Sequence, residues 1–473
     1  MRLIPIYTWN KGIRNFELRR KKFLHRPWAQ GVILLGCVLL AMLLANLPFT
    51  REGYRSFLET AFNITLTTPG GSQIVFPRGM TIEKFINDIL MVVFFFTVGL
   101  EIRREIAHGE LSSPRKALMP VIAAFGGVLA PALIYTLVNH GTAAAGGWGI
   151  PTATDIAFAV CILSVLGKRV PVSLKVFLTA LAIADDLIAI LVVALFYGGN
   201  VQFLPLLIAA AVIAFTLLLR RLGEKRIAIY LTLAIAVWVL FYYSGIHATM
   251  SGVVMAFLIP ATPRYGKSYF DHKWQLYLNR FREYEEPEGV FPSGPQRHCL
   301  RKLDELATGS MDMSYRVEHA LSDWVNFLIM PVFALANAGV EISDLSYFNV
   351  FHFDAALGSV GMGIFLGLLL GKPLGITLTS FLAVKCKAGE MPAGANWPMF
   401  FAVACLGGIG FTMSIFVDTL SFGDQLPEVT AHMRDAGKIA VLLGSLCSGL
   451  LGTVLVGIFS KGRGPKCAQD CDE

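Results

Sequence analysis

Charge is what this chain has least of. Only 15% of its 473 residues are Asp, Glu, Lys or Arg, against about 25% in an average soluble domain. The shortage is not diffuse: apolar runs recur from Ala29 to Ser460, and a helix that crosses a bilayer needs about 20 such residues. With 55% hydrophobic residues and a mean hydropathy of +0.60, a single water-soluble core and a disordered chain are both excluded. Cysteine is also sparse. Of eight, Cys37, Cys161, Cys405 and Cys447 fall inside apolar runs, while Cys299, Cys386, Cys467 and Cys471 lie in polar segments or the tail, so a secreted disulfide scaffold is excluded too. Cys467 and Cys471 lack the neighbouring His or Cys that a metal clip needs.

What is present is the pattern of a polytopic membrane protein. The net charge of +7 would suit nucleic acid if the basic residues shared one surface. They alternate instead with long uncharged stretches, so the expected partner is the lipid bilayer and not nucleic acid. Charge-poor stretches run over 29–49, 85–107, 117–138, 148–167, 174–197, 203–219, 227–243, 246–260, 316–340, 355–384, 397–417 and 438–460. They predict about twelve spans, with 246–260 short for a crossing and open to a re-entrant or tilted reading. Residues 1–28 are basic and precede the first span; with so many spans to follow, they read as a cytoplasmic N-terminal extension rather than a cleaved signal peptide.

The connecting segments test that count. Short cytoplasmic loops carry the Lys and Arg excess. With the N-terminus inside, the loops after even-numbered spans hold Arg115 and Lys116, Lys168 and Arg169, Arg220, Arg221, Lys225 and Arg226, then Lys385 and Lys387. Segments 139–147, 198–202 and 341–354 hold no Lys or Arg, and 418–434 only Arg434. The tail, 461–473, returns to the cytoplasm. Within the membrane domain at 29–460, residues 61–80 predict an external β-hairpin, from two short β-prone runs around Pro69-Gly-Gly-Ser. The polar stretch 261–315 reads as a solvated, partly ordered cytoplasmic insertion.

Ionisable residues inside spans are costly and mark functional sites. Here they are Asp88, Asp155, Asp185, Asp186, His247 and Lys372. Helix rise places Asp185 and Asp186 at the middle of their span, with Asp155 and Lys372 within a turn of the middle of theirs. Three acids and one base at one depth carry excess negative charge that a low-dielectric setting disfavours. Protons or a bound cation must make up the difference, and a carboxylate able to hold either but not both would exchange one for the other when access alternates. Buried ion pairs that merely fix packing are the simpler reading of any one Asp. The glycines around Pro151 to Asp155 and at Gly407-Gly-Ile-Gly410 read as two interrupted helices, central in span triplets of inverted orientation, which points to a transport site. Gly363, Gly367, Gly371 and Gly375 read as a small-residue packing stripe.

The strings Pro151-Thr-Ala-Thr-Asp-Ile-Ala-Phe-Ala159, Ala180-Leu-Ala-Ile-Ala-Asp-Asp-Leu187, Phe333-Ala-Leu-Ala-Asn-Ala-Gly339, Gly371-Lys-Pro-Leu-Gly375 and Gly408-Ile-Gly-Phe-Thr-Met-Ser-Ile-Phe416, with Phe241-Tyr-Tyr-Ser-Gly-Ile-His-Ala-Thr249, together resemble the bacterial NhaA sodium/proton antiporter family. The resemblance runs in order from about residue 30 to 460. It implies an all-α membrane fold with inverted repeats and two interrupted helices crossing near the midplane. It also implies Asp185 and Asp186 as the cation and proton ligands, with Asp186 the indispensable one. Lys372 is then the lysine that pairs with the site, Thr154 and Asp155 its broken-helix neighbours, and Asp88 a supporting acid. Glu101, Glu105, His247, Glu318 and His319 fall at funnel and pH-response positions. The activity implied is electrogenic, pH-regulated export of Na⁺ or Li⁺ in exchange for H⁺ across the bacterial inner membrane, with no cofactor, by a homodimer formed through the hairpin. Ser322 and Asp323 depart from the family pattern beside Glu318 and His319, and this bears on the pH profile. An intramembrane aspartyl protease would need a Gly-x-Gly-Asp element, and the nearest string, Ser421-Phe-Gly-Asp424, lacks its first glycine. A cation channel has no use for a buried Lys372.

Overall fold

The computed structural model describes residues 28–61, 64–67, 73–76, 79–109, 111–198, 201–284, 292–342, 351, 358–422 and 427–460. The helices are apolar on almost every face. In α1 (Ala29–Asn46), Leu34, Val38, Ala41 and Ala45 are buried, while Leu35, Leu39 and Leu43 are about half exposed. A helix with leucines on both its packed and its open face is suited to hydrocarbon rather than water. A short helix, α2 (Arg51–Glu59), follows. Strand β1 (Ile64–Thr67) then pairs antiparallel with β2 (Gln73–Phe76), with Ile64 opposite Phe76 and Thr67 opposite Gln73. Residues 68–72, between the strands, lie outside the described residues.

After a single helical turn at Ile82–Phe85, the longer helices are α3 (Met91–His108), α4 (Pro114–Val138), α5 (Ile156–Leu166), α6 (Val172–Phe196), α7 (Phe203–Arg221), α8 (Ile227–Ser244), α9 (Met250–Leu258), α10 (Lys267–Glu283), α11 (Gly294–Ser310), α12 (Met313–Trp324), α13 (Met330–Asn337), α14 (Val360–Leu366), α15 (Lys372–Lys385), α16 (Trp397–Gly407), α17 (Phe411–Ser421) and α18 (Pro427–Ser460). π-helical turns lead into α3, join α12 to α13 and join α14 to α15. Among the described residues, nine helical stretches are long and apolar enough to cross a membrane, or eleven when each of two bent pairs counts as one. The expected crossing at 246–260 holds only the nine residues of α9, about 14 Å of helix at 1.5 Å per residue. That is short of a bilayer core of about 30 Å.

The chain forms two units. One comprises 92–104 and 199–325, and the other the remainder. In the smaller unit α7 packs on α8 and α10 on α11. Within the stretch 261–315, Lys267–Glu283 and Gly294–Ser310 are helical. Ser293 and Gln296 cap α11 reciprocally, which satisfies two amide donors that a helix start otherwise leaves open.

In the larger unit the bent pair α16–α17 is at the centre: Ala402, Val403, Ala404, Cys405 and Leu406 are at most 1% exposed. Around it, α15 packs on α4 at very short range, because a Cβ on Gly375 would stand 2.1 Å from the carbonyl oxygen of Gly126. The stripe of glycines thus lets two backbones touch, and Gly371 faces the backbone of Pro131 in the same way.

Candidate functional site

Two breaks in helical structure meet in the larger unit. A 3₁₀ segment, Ala143–Thr152, precedes α5 with a 40° bend, and α16 meets α17 at 48°. Chain outside a helix at membrane depth leaves polar backbone groups that must find partners inside the protein. Here the two breaks satisfy each other. The Asp155 amide donates to the carbonyl of Ile409 at 2.7 Å, and the Thr154 hydroxyl donates to the carbonyl of Gly407 at 2.8 Å. From α18, Ser445 Oγ accepts from the amides of Gly410 and Phe411, while Ser448 Oγ donates to the carbonyl of Cys405 at 2.7 Å. A side chain at Gly408 would collide with Ser448 Oγ and the Leu368 carbonyl.

Asp155 stands at the two positive helix starts. It caps α5 by accepting from the Phe158 amide, and it accepts from both the amide and the hydroxyl of Thr412 at the start of α17. A carboxylate at a helix N-terminus is favoured by the dipole and by the free amides there. It is only 2% exposed, so these donors take the place of water.

Lys372 opens α15 directly after the π turn, and its ammonium reaches into the same crossing. Its Nζ donates to Asp185 Oδ2 at 2.5 Å and to the hydroxyl of Thr154. Because Thr154 in turn donates to the last carbonyl of α16, the lysine acts on that negative helix end through a hydroxyl. Lys372 is 0% exposed and Asp185 2%. Asp185 Oδ1 has no hydrogen-bond partner among the described residues. Asp186, the next residue on α6, is equally buried, and its charge acts on Lys372. The cluster can therefore hold an ammonium and a carboxylate together, and a cation arriving at Asp185 would compete with Lys372 for the same oxygens. Among the described residues no three His, Cys, Asp or Glu side chains gather as a resident metal would require.

Thr154, Asp155, Asp185 and Lys372 are thus joined in one chain of contacts. Asp88 is half-buried in the π turn Ile86–Leu90 on another span; such turns are frequent at functional sites. In the smaller unit Glu318 is ion-paired with Arg104, whose guanidinium also lies 3.8 Å from Glu101. His319 is exposed and stacked on Tyr315. His247 precedes α9, where its carbonyl accepts from the Met250 amide. Glu105 belongs to the larger unit and folds back over Gly109. Arg104, Thr412, Ser445 and Asp418 are the functional candidates that sequence reasoning passed over. Only Arg104 carried a signal, three residues after Glu101 on one helix face.

The chain is similar to known proteins along most of its length. The profile of the family described as Na⁺/H⁺ antiporter 1 matches residues 21–456. A protein of Oleidesulfovibrio alaskensis named Na(+)/H(+) antiporter NhaA is 41% identical over 449 residues, 95% of each chain. One of Syntrophotalea carbinolica named Na(+)/H(+) antiporter NhaA 2 is 41% identical over 428 residues, covering 90% of this chain and 93% of its own. A Helicobacter pylori protein named Na(+)/H(+) antiporter NhaA is 41% identical over 443 residues, 93% of this chain and 95% of its own.

Proposed function

The chain belongs to the Na⁺/H⁺ antiporter 1 family, and from that premise we propose that it exports Na⁺ by exchanging it for protons at the buried Asp185 and Asp186 carboxylates. It is a multi-pass inner-membrane transporter of Na⁺ and H⁺, not an enzyme, and needs no cofactor. The observation that carries the mechanism is the Lys372 ammonium 2.5 Å from Asp185 Oδ2, in a cluster closed to water.

A buried carboxylate needs a cationic partner or a proton. With the site empty of Na⁺, Lys372 supplies that partner to Asp185 and Asp186 holds a proton. Na⁺ or Li⁺ entering between the two carboxylates displaces the ammonium and the proton, because all three compete for the same oxygens. Alternating access would then carry the cation out and the protons in. One proton from Asp186 per Na⁺ would make exchange neutral; transport is electrogenic when the displaced Lys372 ammonium also gives up a proton to water, so that two protons move for each cation. Asp155 and Thr154 hold the crossing of the two breaks in shape as Lys372 shifts, and Asp88 supports the cation path.

The proposed frame is two inverted triplets of spans, with both termini in the cytoplasm and the paired strands outside, where they join two copies into a homodimer. Glu101, Glu105, His247, Glu318 and His319 set the pH response, the ion pair of Arg104 with Glu318 being its most constrained element. If Glu318→Gln leaves the activity-versus-pH curve in place, that assignment is wrong for Glu318.

The test is transport in proteoliposomes. Na⁺ or Li⁺, but not K⁺, should collapse a preset pH gradient with the wild-type protein and fail to do so with Asp186→Asn. Proton movement driven equally by K⁺, or retained in the variant, would overturn the reading.

A further inference from the structure

Asp418 is a buried acid that the aspartate pair leaves out. It lies on α17 six residues past Thr412, so it stands about 9 Å further along the helix from the Asp155 bond. It is 0% exposed, and neither carboxyl oxygen has a hydrogen-bond partner among the described residues. A buried carboxylate without a donor does not stay ionised at no cost; it is paired, or it carries a proton.

The elements packed on α17 limit what that partner can be. The 3₁₀ segment Ala143–Thr152 and α13 contribute no ionisable side chain. Tyr135 and Tyr197 are near enough for the Asp418 charge to act on them, but their hydroxyl protons are given to the carbonyls of Ala144 and Gly146, each at 2.9 Å. On α18, Asp418 lies against Gly437, where a Cβ would stand 2.1 Å from Oδ1. The charges of Arg434, Asp435 and Lys438 act on it from the same helix, while those of His432 and Arg55 act on Asp435. Arg434 Nε is itself buried with no hydrogen-bond partner among the described residues. A fully buried carboxyl group with no donor therefore faces a helix that carries a half-buried guanidinium, whose Nε is without a hydrogen-bond partner among the described residues.

We propose that Asp418 is a second proton-binding site, separate from the aspartate pair, with Arg434 and Lys438 as the counter-charges that receive it when it ionises. Binding forms one O–H bond on the Asp418 carboxyl with a proton taken from water, and ionisation returns that proton to water; no other bond changes. The two acids and two bases are neutral together when all are ionised, and protonation leaves one positive charge in excess. The site thus changes the local charge by one unit each time it fills. On the orientation proposed above it lies between the crossing of the two breaks and the external face. Its place on the proton path rests on that reading, whereas its protonation does not.

Infrared difference spectroscopy on the full chain in lipid, stepped from mildly acid to alkaline pH without Na⁺, tests the inference directly. Wild-type protein and Asp186→Asn should both lose a protonated-carboxyl band that Asp418→Asn lacks, and Asp418→Glu should restore it at a shifted position. Size-exclusion profiles of the variants check that each is folded. Spectra of Asp418→Asn that match wild type throughout, or a band that persists at every pH, would overturn the proposal. Because no Na⁺ is used, failure of sodium-driven exchange in proteoliposomes would count against the transport reading and leave this result standing.

Discussion

Lys372 and Asp185 form an ion pair at 2.5 Å in which neither side chain is more than 3% exposed. Such a pair resists being halved more than being removed. Taking away one partner leaves a lone buried charge, at a cost of about 3–5 kcal/mol, whereas replacing both with neutral groups is often close to neutral. Lys372→Met and Asp185→Asn should each lower the unfolding temperature, and the double variant should recover most of the loss. Additive losses, measured by tryptophan fluorescence during heating, would mean that the two groups are not coupled in the folded protein.

Thr412 gives Asp155 both its amide and its hydroxyl. Hydrogen bonds to a charged group contribute about 1.5–3 kcal/mol. Thr412→Val should therefore slow exchange and reduce stability, while Thr412→Ser, which keeps the hydroxyl, should behave nearly as wild type. Equal transport rates in valine and serine variants would remove Thr412 from the site.

Close backbone approach makes a sharp contrast between two glycines. A methyl group on Gly375 would meet the Gly126 carbonyl at 2.1 Å, whereas one on Gly36 meets nothing within 4 Å. Overpacking of this kind costs about 1–3 kcal/mol. Gly375→Ala should be markedly destabilised and Gly36→Ala unchanged or slightly stabilised in the same thermal assay. A harmless alanine at Gly375 would show that α15 and α4 do not touch as described.

Tyr54, on α2, donates to the Leu335 carbonyl at 2.6 Å. Burial, with the charge of Glu83 beside it, pushes its phenol up from the usual 10 to about 12. A group raised in the folded state favours its protonated form there, so its contribution is complete below pH 10 and is lost as pH rises through about 12. Tyr54→Phe should flatten the alkaline fall in stability over that window. An alkaline limb identical to wild type would place the loss in other groups.

Much of the site is legible because charge is rare. Asp155, Asp185 and Lys372 stand out at one depth in uncharged spans, and rise per residue alone brings them level. Thr412, Ser445 and Ser448 are not legible in that way. Hydroxyls are common in apolar helices, and only the meeting of the two breaks gives these three their partners. The apolar run stops at Val417 and puts Asp418 in a loop, yet the helix continues to Ser421 and carries it into the interior. The stretch 261–315 misleads in the opposite direction: its polar composition hides two helices that pack on each other, the second of them capped by Ser293 and Gln296. Short α9 shows a further limit, since apolar character over 246–260 says nothing of the turn that takes up its first residues.

The central claim is that Na⁺ and protons compete for the same two carboxylates. Proton release on adding Na⁺ to purified protein in weakly buffered solution measures that competition directly, with no membrane gradient involved. Wild-type protein should release protons on addition of Na⁺ or Li⁺ and not of K⁺, and Asp186→Asn should release none. Na⁺ binding without proton release, established by calorimetry on the same sample, would contradict the account.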